Sequence, residues 1–141
     1  WGIPAALALA GVSIWSLSLQ PAVARGGISG TPWSEAAVAR AQAAGHPIFV
    51  DFTADWCLTC KVNEAGAINR DAVRDAFRKA EVVELVGDWT NGDPAITRFL
   101  DSRSRAGVPL YLWYEPGKPE PEELPQVLTQ SMLSERANRP R

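Results

Sequence analysis

The rhythm of apolar and polar residues changes several times along this chain, and each change marks an element. Residues 1–24 carry no charged side chain, and the first charge is Arg25. That length suits a bilayer span, which needs about 20 residues. Ala22-Val23-Ala24 would also suit a signal-peptide cleavage site, but no basic stretch precedes the apolar run. Pro4 and Gly11 speak against a buried soluble helix. The pattern therefore favours a transmembrane helix over residues 1–24, as the last span of a larger membrane domain. Residues 25–32, with Gly26, Gly27 and Gly30, read as a linker, and a globular domain follows over residues 33–141.

In that domain, Thr31-Pro32-Trp33-Ser34 opens a helix, residues 36–44 are rich in helix formers, and Gly45 can stop it. Ile48, Phe49, Val50 and Phe52 form an almost unbroken apolar run, as expected of a strand buried on both faces. Leu58, Val62 and Ala65 then recur at helical spacing. Asn69 is placed to cap a further helix with Val73, Ala76, Phe77 and Ala80 on one face. Residues 82–86 predict a second strand. Asp93 before Pro94 opens a helix whose apolar face is Ile96, Phe99 and Leu100. Residues 110–114 predict a third strand and residues 124–128 a fourth, at an edge because of Pro125. Residues 131–136 close the chain with a short helix. Strands alternating with helices imply a parallel core, and the final strand-turn-strand adds an antiparallel pair. The fold class is α/β, with a central mixed sheet flanked by helices.

Charge and composition remove several functions. The net charge is -2, and no basic stripe interleaved with aromatics suggests a nucleic-acid surface. No glycine-rich phosphate loop is present, and the arginines fall mostly among acids at helical spacing. The chemistry gathers instead at Cys57 and Cys60, the two cysteines of the chain, directly after the first core strand. Zinc wants four ligands, and only His46 could join the pair, so no metal is expected. Covalent haem attachment would need His after the second cysteine, where Lys61 stands. A structural disulfide closing so short a loop gains little stability. Reversible dithiol chemistry is the main reading. In the first turn of a helix, residues i and i+3 share a face and can form a disulfide. The helix start favours the thiolate of Cys57, the species that attacks disulfides. Such chemistry needs no cofactor beyond the pair. Asp51, an acid inside an apolar strand, marks a functional position. Trp56, beside a reactive cysteine, offers a contact surface for partners. Trp89 reads as loop packing, and His46 receives no role.

The order of elements, with Trp-Cys-x-x-Cys-Lys after the first core strand and Gly107-Val108-Pro109 before the third, resembles thioredoxin. The stretch Val50-Asp51-Phe52-Thr53-Ala54-Asp55-Trp56-Cys57-Leu58-Thr59-Cys60-Lys61-Val62-Asn63-Glu64 is similar to the C-terminal periplasmic domain of the DsbD family of thiol:disulfide interchange proteins. Asp88-Trp89-Thr90 and Leu128-Thr129-Gln130-Ser131-Met132-Leu133 add to the likeness, which runs over residues 33–137. The resemblance implies a thioredoxin-like fold and a reducing direction. Electrons would come from an upstream membrane domain and leave towards an N-terminal periplasmic domain or other periplasmic disulfide proteins. The setting implied is the bacterial inner membrane, with this domain in the periplasm. Cys57 matches the nucleophile and Cys60 the resolving cysteine. Pro109 matches a cis-proline facing the disulfide, with the Val108 backbone beside it as a docking edge. Asp51 matches a buried acid under the cysteines, and Glu64 a second acid near them. Leu58-Thr59 departs from thioredoxin's Gly-Pro between the cysteines. Two other readings remain open at this level: a disulfide oxidase or isomerase, and a membrane-tethered module holding a metal or client protein through the cysteines.

Overall fold

The computed structural model describes residues 30–141. The expected membrane span and most of the expected linker lie outside the described residues. Among the described residues, no helix is long and apolar enough to cross a membrane.

Five strands form one sheet in the order β1-β3-β2-β4-β5. The chain runs β1 (Thr31–Pro32), α1 (Glu35–Ala43), β2 (Ile48–Thr53), α2 (Leu58–Asn63), a π-helical continuation (Glu64–Ile68), α3 (Asp71–Ala80), β3 (Val83–Asp88), α4 (Pro94–Ser102), β4 (Leu110–Tyr114), β5 (Glu122–Glu123) and α5 (Gln130–Ala137). β3 pairs parallel with β1 and β2, whereas β4 pairs antiparallel with β2 and β5. The sheet is mixed, as the sequence pattern implies.

All six residues of β2 are buried, which explains its almost unbroken apolar run. Alternation along the strand sends Ile48, Val50 and Phe52 to one face. There they pack with Ala37, Val38 and Ala41 of α1 and Ile96 and Leu100 of α4. Phe49 points the other way, towards Val73 and Phe77 of α3 and Leu133 of α5, with Tyr111 and Trp113 of β4. Phe77 sits 5.6 Å from Phe49 and 5.8 Å from Trp113 between ring centroids. Burying one such ring contributes about 1.5–3 kcal/mol. Gly87 faces Phe52 across the β2–β3 register, where a Cβ would lie 2.3 Å from a ring carbon. That contact leaves room for glycine alone.

Local signals placed most element ends. Ser34 caps α1 by accepting the Ala37 N–H, and Asp93 caps α4 by accepting from Ala95 and Ile96. Four expectations need correction. Thr31 and Pro32, expected in the linker and at a helix start, form β1, and Trp33 N–H extends the pairing to Val86 O. A two-residue strand has too short a pattern to declare itself. The second strand runs on to Asp88, two residues past its expected end. Asn69 does not cap α3: Arg70 occupies that position without a side-chain bond, and Asn69 N–H closes the π-helical turn on Glu64 O. The edge strand is Glu122–Glu123 and not residues 124–128. Leu124 and Leu128 turn into the core there, and Asn63 takes the backbone bonds that a ladder would have used.

Candidate active site

β2 delivers the chain through a tight turn to α2. The Cys57 N–H donates to Ala54 O at 3.1 Å, which closes that turn. Cys57 is the N-cap of α2, in extended conformation, and its Sγ accepts the Cys60 N–H at 3.2 Å. Cys57 and Cys60 are joined as a disulfide with their Cα atoms 5.3 Å apart. The N–H aimed at Cys57 Sγ is a donor that suits an anionic sulfur once the bond is reduced. The two sulfurs differ in access, because Cys57 is 6% exposed and Cys60 fully buried. An incoming group therefore meets Cys57 first. The pair packs on Ala54 and Val108. The Val108–Pro109 peptide is cis, and Pro109 leads directly into β4.

Three apolar side chains near the pair in sequence reach the surface. Trp56, Leu58 and Val62 are large hydrophobic side chains left exposed. Trp56 is nevertheless held, since its Nε1 donates to Thr90 O at 3.1 Å. The Asp55 N–H donates to Thr90 Oγ1 at 2.9 Å, and that hydroxyl donates in turn to Asp88. The loop after β3 thus clasps the turn before the cysteines. Trp89 lies 6.0 Å from Trp56 between centroids, sits against Gly107, and donates Nε1 to Thr97 Oγ1. It packs the loop, as its sequence context suggests.

Asp51, in the strand that leads to the cysteines, is an acid in a costly place. Asp51 is 4% exposed, and its Oδ1 finds no protein hydrogen-bond partner among the described residues. Burial pushes its carboxyl up from 3.8 to about 7; the charges of Glu64 and Glu84 add to the rise, and Lys61 opposes it. Glu84 is itself neutralised by a two-pronged ion pair with Arg74. Glu64 opens the π-helical stretch and is firmly held. Its Oε1 accepts from Thr53 Oγ1 at 3.1 Å and its Oε2 from Lys61 Nζ at 3.2 Å. Glu64 is thus a bound, largely buried acid and not a solvated one.

Sequence reasoning missed three residues in this region. Thr53 stands two residues after Asp51 on the same face of β2, so alternation alone could have pointed to it. Asn63 is buried, and it donates to Tyr111 OH at 2.9 Å and Gln126 O at 2.7 Å while accepting the Leu128 N–H at 2.9 Å. This ties the cysteine helix to β4 and to the loop before α5. Burial, helped by the Asp51 charge, holds the Tyr111 hydroxyl far above its ordinary range, so it stays protonated. No local signal announces an Asn whose partners lie 48 and 63 residues away.

A Cys-x-x-Cys disulfide at a strand-to-helix junction marks the class, and comparison with known proteins agrees. A family model described as thioredoxin-like matches residues 30–116, and the chain belongs to that family. Within it, the similarity runs to DsbD. The chain is 33% identical over 90 residues to thiol:disulfide interchange protein DsbD 1 of Pseudomonas aeruginosa, covering 64% of this chain and 15% of that protein. It is 40% identical over 80 residues to DsbD of Ralstonia nicotianae, covering 56% of this chain and 13% of that protein. The DsbD C-terminal domain of Neisseria meningitidis in its oxidised form superposes with a TM-score of 0.58 at 22% identity, covering 76% of this chain and 95% of that one. That likeness is one of fold. The relatives and the Cys57–Cys60 disulfide together support thiol–disulfide oxidoreductase chemistry.

Proposed function

We propose that this domain is a protein-disulfide reductase that carries electrons from a membrane-embedded donor to periplasmic disulfide acceptors. The observation that carries the reading is the asymmetric pair: a reachable Cys57 at the helix start bonded to a sealed Cys60. In the reduced state the Cys57 thiolate attacks an acceptor disulfide, forming a mixed disulfide and expelling the first acceptor sulfur as a thiolate. Asp51 as carboxylate takes the Cys60 proton, with Glu64 tuning it. The Cys60 thiolate then attacks Cys57 Sγ, the bond to the acceptor breaks, and the second acceptor sulfur leaves with the electron pair. The acceptor is reduced by two electrons and the pair is oxidised. The donor's dithiol reverses these steps.

The exposed Trp56 and the Val108 backbone beside the disulfide would receive an extended partner segment. Residues 1–24 would anchor the domain at the outer face of the inner membrane, raising its effective concentration near the donor. The names of the DsbD relatives support this assignment, although the chain spans only 12–15% of their length. The deciding test is redox equilibration of the pair against glutathione, read by the mass of alkylated protein. A potential clearly more reducing than the glutathione couple supports a reductase. A potential close to that of strong oxidases, about -120 mV, would overturn it in favour of disulfide formation.

A further inference from the structure

We propose that Thr53 is a positioning residue for the reaction: by donating its hydroxyl to Glu64, it fixes that charge beside Asp51 and so sets when Asp51 can take the Cys60 proton. The inference rests on the reading of Asp51 given above.

Glu64 is held from two sides. Each of its carboxylate oxygens has a separate donor, Thr53 Oγ1 at 3.1 Å and Lys61 Nζ at 3.2 Å. The two donors are unequal. Lys61 is 40% exposed at its side chain and also reaches towards Asp55 at 4.0 Å, so its hold is shared and screened by solvent. Thr53 is fully buried within β2 and its Cβ is set by the sheet. A β-branched side chain in a strand has little rotamer freedom. The threonine is therefore the rigid arm of the clamp. It also stands on the same strand face as Asp51, two residues on, so the backbone that places Asp51 places the anchor of Glu64 too.

The groups facing Asp51 can be named from each neighbouring element. Glu64 comes from the π-helical stretch and Lys61 from α2, with Glu84, paired to Arg74, from β3 and the Tyr111 hydroxyl from β4. Asp51 Oδ1 has no hydrogen-bond donor of its own. Its protonation is therefore governed by burial and by these fixed charges, of which Glu64 is the strongest. If Thr53 lets go, Glu64 is no longer fixed against the strand and swings towards solvent. That weakens the repulsion at Asp51 and lowers the pH at which it ionises.

Thr53→Val preserves shape and removes the donor. The readout is the side-chain carboxyl carbon shift of Asp51, followed by NMR against pH in the oxidised protein, where the sulfurs do not titrate. In Thr53→Val the midpoint should fall by about half a pH unit, the scale expected of a displaced, partly screened charge. Thr53→Ser keeps the hydroxyl and should restore the wild-type midpoint. Glu64→Gln should lower the midpoint as well, and adding Thr53→Val to it should change nothing more. A Thr53→Val midpoint equal to wild type overturns the proposal, as does an effect that persists in the Glu64→Gln background. A second assay follows the pH dependence with which Cys60 resolves a mixed disulfide preformed at Cys57. It should move to lower pH with the carboxyl. If the carboxyl moves and resolution does not, the role of Asp51 in the proton step fails, even though Thr53 governs its titration.

Discussion

Replacing Asp51 by Asn should change how stability depends on pH, and the size follows from the fold. Asp51 is 4% exposed with one unpaired oxygen, and its carboxyl is pushed from 3.8 to about 7. At about 1.4 kcal/mol per pH unit, ionising it in the folded state costs on the order of 4 kcal/mol more than in the unfolded chain. The sign is the reverse of the usual carboxylate case. Between pH 4 and 7 the unfolded chain has lost this proton while the folded state keeps it, so stability falls as pH rises. The loss is complete above pH 7. Between pH 5 and 8 the wild-type protein should lose about 3 kcal/mol through this group, and Asp51→Asn should lose none of it. The assay is urea unfolding of the oxidised protein at pH 5, 6, 7 and 8, followed by tryptophan fluorescence. The quantity to plot is the variant's stability minus that of the wild type. Glu122, held below its usual range by its hydrogen bond to Arg136, works in the opposite sense, but it is common to both proteins and cancels. A new Asn hydrogen bond would offset the whole curve without changing its slope. Two parallel stability curves would refute the reasoning, because they would show that Asp51 is ionised at no special cost.

Three further outcomes are expected. Cys60→Ala should accumulate mixed disulfides with acceptor proteins on non-reducing gels, and Cys57→Ala should not; the opposite pattern would reverse the assigned roles. Asn63→Ala leaves the Leu128 N–H, the Gln126 carbonyl and the Tyr111 hydroxyl without their shared partner, and should lower stability by about 2–4 kcal/mol in chemical denaturation. Thr90→Ala removes the hydroxyl that holds the Asp55 N–H and bonds Asp88. It should slow exchange with a protein disulfide several-fold while leaving exchange with glutathione disulfide nearly unchanged, and equal slowing of both would refute a docking role for the clasp.

How much of this was legible depends on the range over which each signal acts. β2 announced itself because a strand buried on both faces is apolar along most of its length. α4 announced itself because Asp93 and Pro94 solve a local problem, the orphan donors at a helix start. The cysteine pair was equally local, since its chemistry is set by spacing and by the helix start that follows. β1 was not legible. Two residues carry no period, and their pairing is decided by β3, more than 50 positions away. The edge strand was misplaced for a related reason. Leu124 and Leu128 are apolar enough for a strand, but their side chains serve the core and Asn63 occupies the backbone between them.

The polar residues of β2 show the same division more sharply. Asp51 could be read because an ionisable group in an apolar strand contradicts its surroundings, and contradictions of that kind are visible in one dimension. Thr53 contradicts nothing, since threonine is at home in a strand. The role proposed for it rests on a contact across 11 residues of sequence: the helix after the cysteines carries Glu64 back to the strand, where the Thr53 hydroxyl holds its carboxylate. Glu64 is in turn the charge with the largest effect on the buried acid. The sulfur chemistry is thus written in two cysteines three positions apart. The proton path proposed for it rests on a side-chain contact that no periodicity in the sequence displays.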